Sequence, residues 1–231
     1  MKRLLKVFSI VLICLLVVCG CNDELEGEEF NLIEKEPIID QNTDLEKLIS
    51  TNEVAFFNGE FNDKTIVLKV QNNNSRPVYL NYSFEVFDKS KTKLYNKEVY
   101  VRVGSNNVAY VIAIQDLEES TFDSYTYKMT VLKDKLENYD SIKGGIKSDY
   151  SDNGKSITAT FTNNGNRTTT VYGWLFFYKD NKIVAVKDAT SYNLTPSKTN
   201  NVKVDYPIKT VKKKIPFDRV NLIVNEVSTE L

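Results

Sequence analysis

The chain has 231 residues, with 30 lysines and arginines against 31 aspartates and glutamates, three cysteines and no histidine. Without imidazole, serine–histidine and cysteine–histidine catalytic pairs and histidine-based metal sites are excluded, and the near balance of charge gives no basic field for nucleic acid. Hydrophobic residues make up 42% of the chain, with 12 Phe and 13 Tyr among them, so a core can be built by packing alone, without disulfides.

The first element is a basic start, Lys2, Arg3 and Lys6, followed by an almost unbroken apolar run from Val7 to Val18. That pattern predicts a secretory signal peptide over residues 1–20. The run falls short of the roughly 18 to 20 residues a bilayer crossing needs, and acidic residues follow it directly. It ends in "VCGC", Val18 to Cys21. This tetrapeptide resembles the lipobox of bacterial lipoproteins, in which small or aliphatic residues precede an invariant cysteine. Gly20 supplies the small residue before Cys21, whereas Val18 before Cys19 and Ile13 before Cys14 suit the peptidase poorly. The resemblance implies cleavage before Cys21, a diacylglycerol on Cys21, and attachment to the outer side of a cell membrane. A thiolate metal or redox pair would need further Cys or His ligands in the mature chain, and the sequence has none to offer.

Residues 21–49 follow as an acidic tether. From Asn22 to Ile49 there are ten acids and two lysines, a composition that repels itself and buries little apolar surface. A short helical turn near Leu45 to Ile49 is the sole helical signal.

From about residue 50 the chain reads as short alternating runs rich in Val, Ile, Thr, Tyr and Phe, punctuated by Asn, Asp, Gly and Lys. "TIVLKV" places Ile66, Leu68 and Val70 on one face, "YLNYSFEVF" groups Leu80, Tyr82, Phe84 and Val86, and "VAYVIAI" groups Val108, Tyr110, Ile112 and Ile114. The same programme then recurs. "KTIVLKVQNNNSR" (64–76) corresponds to "KSITATFTNNGNR" (155–167), and "YSFEVFD" to "WLFFYKD", which pairs Tyr82 with Trp174, Phe84 with Phe176 and Asp88 with Asp180. "NNVAYVIAI" matches "NNVKVDYPI", and Phe122 and Asp123 match Phe217 and Asp218. The predicted class is all-β: two tandem immunoglobulin- or fibronectin-like antiparallel sandwiches, 50–133 and 146–231, joined by a linker over 134–145 that Gly144 and Gly145 leave free to bend.

"FEVFD", Phe84 to Asp88, resembles the F-x-L-Y-D signature of a family of small bacterial extracellular β-sandwich domains; "FFYKD" keeps Phe176 and Asp180 and departs at Tyr178 and Lys179. The resemblance implies a surface-exposed sandwich of a Gram-positive envelope protein and brings no catalytic residue with it. Asp88 and Asp180 are expected to end their strands by accepting backbone N–H groups.

No catalytic, cofactor or metal site is predicted. "DYSDNGK" places Asp149, Ser151 and Asn153 at spacings like the start of a calcium loop, but its twelfth position is Thr160, and Asn153-Gly154 is a hairpin pair. Two function classes remain: a binding module that engages a protein or envelope polymer, and a structural spacer for another membrane component. If Trp174 and Phe176 point into the core, Leu175 and Phe177 point outward, and this pair is the predicted partner surface. For the anchor, mass spectrometry of the mature protein is expected to find an N-terminal, diacylglycerol-modified Cys21, and Cys21→Ser is expected to abolish that modification.

Overall fold

The computed structural model describes residues 45–115, 122–132, 136, 138–210 and 213–229, all of which belong to one unit that runs from Ile39 to Leu231. The predicted signal segment, Cys21 and the acidic segment as far as residue 44 lie outside the described residues.

The β-branched and aromatic runs form strands, and among the described residues the first repeat has six: β1 (Ile49–Asn58), β2 (Lys64–Asn72), β3 (Val78–Asp88), β4 (Lys93–Val103), β5 (Val108–Gln115) and β6 (Phe122–Leu132). They form two antiparallel sheets, β1-β2-β5 and β4-β3-β6. Between the sheets lie Ile66, Leu68 and Val70 of β2 and Leu80, Tyr82, Phe84 and Val86 of β3, the two faces that alternation predicts. Tyr82 is fully buried, and its hydroxyl meets Thr51 Oγ1 at 2.7 Å, which satisfies the polar tip. Burial pushes its pKa up to about 12 in spite of that hydrogen bond. On β5 the predicted face exists but turns away from this core, which takes Ala109, Val111 and Ala113 instead.

The second repeat comprises β7 (Ile146–Asp152), β8 (Ser156–Asn163), β9 (Thr169–Lys179), β10 (Lys182–Asp188), β11 (Ser191–Leu194), β12 (Thr199–Asp205), β13 (Ile208–Thr210), β14 (Lys213–Lys214) and β15 (Arg219–Thr229). One sheet is β12-β8-β7; in the other, β9 has β15 on one side and β10 with β11 on the other. The connection to the last strand spans 206–218, against 116–121 in the first repeat, and the extra length contains the β13-β14 ribbon.

An asparagine pins each sandwich at the same place. Asn72 Nδ2 donates to the carbonyls of Arg76 (2.9 Å) and Gly104 (2.9 Å), and its Oδ1 accepts from Asn74 N (2.9 Å). Asn163 Nδ2 donates to the carbonyls of Arg167 (2.8 Å) and Leu194 (2.8 Å), and its Oδ1 accepts from Gly165 N (2.8 Å). Both are buried, and each ties the end of a strand to its own turn and to the opposite sheet. The repeated Asn and Arg of the sequence are this pin; the arginines serve through their carbonyls.

The connector is less free than its two glycines predict. It ends in α1 (Tyr139–Gly144), and Gly145 N donates to the carbonyls of Ser141 and Ile142 while Gly145 O accepts from Asn164 N. Tyr139 is buried, and its hydroxyl donates to Arg102 O in the first sandwich.

Carrying the Asn72-to-Asn163 offset forward places Gly173 where the first repeat has Tyr82, and Phe161 where it has Val70. The Phe161 ring takes the space that Gly173 leaves: a Cβ on Gly173 would lie 2.6 Å from Phe161 Cζ and 2.9 Å from the Ala189 carbonyl oxygen. Gly173→Ala is therefore expected to cost about 1–3 kcal/mol in urea unfolding through overpacking, and a second change, Phe161→Leu, to recover part of it.

Candidate functional site

The outward face of β1-β2-β5 meets the outward face of the sheet that carries β9. Ala55, Phe57, Val67, Tyr110, Ile112 and Ile114 from the first repeat pack against Trp174, Phe176, Tyr178, Ile183, Val186 and Ile223 from the second, forming a third apolar core between the sandwiches. Val67 and Phe176 are fully buried there, and the rings of Tyr110 and Phe176 sit 4.9 Å apart.

This arrangement corrects the predicted partner surface. Leu175 and Phe177 are both 0% exposed and belong to the core of the second sandwich, where the Phe177 ring packs 4.9 Å from that of Phe217. Trp174, Phe176 and Tyr178 take the other face, against the first repeat. The error is one residue of register. With the asparagine pins aligned, Phe84 corresponds to Leu175, Val86 to Phe177 and Asp88 to Lys179, and the match of Asp88 with Asp180 slips the strand by one. Asp88 Oδ1 does accept from Thr92 N (2.8 Å) and from Ser90 Oγ, and the serine bond, with the backbone bonds, holds its carboxyl below the usual range. Asp180 behaves differently. It and Asn181 have φ of 49° and 62°, and Asp180 donates its own N–H to Asp218 Oδ2 at 3.0 Å.

Polar contacts ring the third core. β15 has a bulge between Val224 and Glu226, and the intervening Asn225 turns its side chain to the first repeat. Its Oδ1 accepts from Tyr110 N (2.6 Å) and its Nδ2 donates to Tyr110 O (2.9 Å), so one amide side chain mimics a strand partner. Glu226 beside it accepts from Arg102 Nη1 at 2.5 Å, and Lys143 of α1 donates to Asn225 O at 2.9 Å. Burial pushes the Glu226 carboxyl up, opposed by Arg102, and burial lowers the Lys143 ammonium, opposed by Glu226 and Asp140.

Where the third core reaches the surface, a cleft of about 370 Å³ opens between the repeats. Phe57 and Asn58 line it from the first repeat, and Ile183, Val184, Ile215 and Pro216 from the second, with Lys209, Lys213 and Lys214 of the ribbon around it. A more polar cleft of about 250 Å³ lies between α1 and the Asn163 turn, lined by Asn138, Ser141, Arg167 and Thr169 among others. The calcium-like stretch folds as the Asn153-Gly154 hairpin: Asn153 Oδ1 accepts from the backbone N of Lys155 and Ser156, and Asp152 Oδ1 accepts from Gly154 N and from the Tyr206 hydroxyl. Among the described residues no three His, Cys, Asp or Glu side chains come together as a metal site, and no helix is long and apolar enough to cross a membrane. Sequence reading missed the cleft, although two signals mark it: the lysine run Lys212 to Lys214, and the long connection that carries it.

The two faces of β9 give separable outcomes. Leu175→Ser with Phe177→Glu is expected to unfold the second sandwich, because it places a charge in a filled core. Phe176→Ala is expected to cost about 3–5 kcal/mol in chemical unfolding and to raise amide exchange at Val67 and Ile112, on the far side of the interface.

No family model matches the chain, and no curated protein matches it. Two of the solved structures similar to it are the crystal structure of the YadV chaperone, at 9% identity with a TM-score of 0.25, and that of red sea bream transglutaminase, at 10% identity with a TM-score of 0.24. The first likeness covers 79% of this chain and 100% of the chaperone chain, and the second covers 70% of this chain and 27% of the transglutaminase chain.

Proposed function

We propose that the protein is a non-catalytic binding module held at the outer face of a cell membrane by a diacylglycerol on Cys21. The observation that carries the binding half of this reading is the composite cleft. Its walls come from both repeats, so it exists only in the joined pair, whereas a spacer needs no more than two connected sandwiches. An apolar floor with a few polar groups at the rim is the ordinary chemistry of a recognition site. The lipobox-like "VCGC" supports the anchor, and the likeness of Phe84–Asp88 to the F-x-L-Y-D signature supports a place among envelope proteins of the Gram-positive type.

The test is photo-crosslinking on intact cells. With benzoylphenylalanine replacing Lys213 at the cleft, irradiation is expected to give a discrete adduct. The same probe replacing Tyr100, exposed on the outer sheet of the first sandwich, is expected to give none. Adducts from Tyr100 alone, or from neither position, would count against the cleft as the binding site.

A further inference from the structure

We infer that the cleft end of the molecule, formed by Phe61 and the lysines of the β13-β14 ribbon, docks on an anionic phospholipid surface. The inference rests on the reading of the composite cleft as a binding site and names its partner.

Phe61 stands in a tight turn between β1 and β2, closed by Gly59 N on Asp63 O (2.6 Å) and Asp63 N on Glu60 O (2.8 Å). The turn holds Phe61 at φ 50°, a left-handed conformation uncommon for a bulky residue, and leaves the residue 58% exposed. Glu60 fastens this turn to the ribbon: its Oε1 accepts from Ile208 N at 2.8 Å, and its carboxylate is neutralised by Lys187 at 3.0 Å. The protruding phenyl ring and the lysines of the ribbon are thus parts of one surface.

The ribbon brings three lysines to that surface. Among the described residues, no carboxylate pairs with Lys209, Lys213 or Lys214, and Lys214 instead lies over the Tyr206 ring, 5.2 Å from its centroid. All three lysines border an aliphatic floor that includes Ile183, Val184 and Ile215. Cations on long arms around apolar surface, next to an exposed aromatic ring, match a bilayer interface: the ammonium groups meet headgroup phosphates while the ring enters the acyl boundary. An acidic peptide or polymer would satisfy the lysines and leave Phe61 in water.

The test uses the full chain reconstituted in vesicles. The one native tryptophan, Trp174, lies in the interface between repeats and gives a constant baseline, so Phe61→Trp adds a reporter at the tip. The extra emission is expected to be quenched by brominated acyl chains in phosphatidylglycerol–phosphatidylcholine vesicles and not in phosphatidylcholine alone. Quenching should be lost near 1 M salt. Adding Lys209→Glu, Lys213→Glu and Lys214→Glu is expected to weaken it about tenfold or more with the circular dichroism unchanged. Equal emission from both vesicle types, or quenching that the lysine changes leave intact, overturns the inference. So does emission insensitive to bromine that shifts with the lysine changes in lipid-free detergent solution, which would assign the cleft to the acidic segment of this same chain. A protein adduct from the Lys213 crosslinker without quenching at position 61 leaves the cleft a binding site and removes the lipid, whereas absence of both removes both readings. Sedimentation with vesicles reports the Cys21 anchor separately.

Discussion

The burial of Val67 and Phe176 against each other's sheets is the constraint on which the rest of this structure depends. Each lies on a central strand whose opposite face already packs a sandwich core, so β2 and β9 are covered on both sides. A strand in that position cannot alternate apolar with polar, and its sequence must run nearly continuously apolar. The buried run Thr65 to Leu68 and the buried run Leu175 to Phe177 are the result. Fully burying a side chain such as Val67 or Phe176 contributes about 1.5–3 kcal/mol, and the interface holds several such residues, so the two repeats are joined by more than their connector.

The polar ring around this third core sets its register more than its strength. A buried carboxylate beside Arg102 gains Coulomb energy and loses hydration in similar measure, so the pair is a weak source of net stability, but breaking it would leave a charge without its partner. Asn225 adds directionality. Its amide matches both the N–H and the C=O of Tyr110, a fit that a sliding interface would lose. The bulge that presents Asn225 is a one-residue insertion in β15, so a single extra residue in the second repeat turns a copied edge strand into a clamp.

Much of the fold was legible in the sequence, and the parts that were not share a cause. The alternation of Leu80, Tyr82, Phe84 and Val86 and the doubled asparagine turns are local signals, and they led correctly to two all-β sandwiches. Which face of β9 turns inward is not local. With Trp174, Leu175, Phe176, Phe177 and Tyr178 all apolar or aromatic, period two gives no answer, and the choice rested on one aspartate at a turn whose geometry differs between the repeats. An unbroken run of five such residues itself indicated a strand covered on both faces. On β5 the large residues Tyr110, Ile112 and Ile114 serve the interface and the small ones, Ala109 and Ala113, face the sandwich core, the reverse of what size alone suggests. The helix α1 escaped because six residues carry too little periodicity, and it is held by tertiary contacts of Tyr139 and Lys143.

Duplication makes the differences between the repeats informative. Where the copies need only fold, they change in compensating pairs: Tyr82 with Val70 in one, Gly173 with Phe161 in the other, filling the core in two ways. Elsewhere the change has no compensation within its own sandwich. The bulge at Asn225, the outward aromatics of β9 and the β13-β14 ribbon each add something that the second sandwich does not need to close its own core, and each faces the first repeat or the cleft beside it. The predicted signal peptide and the lipobox resemblance bear on where the chain is placed; these three additions bear on what the joined pair presents, the ribbon at the cleft and the bulge on the α1 side of the same interface, and none of them lies on the outer sheets.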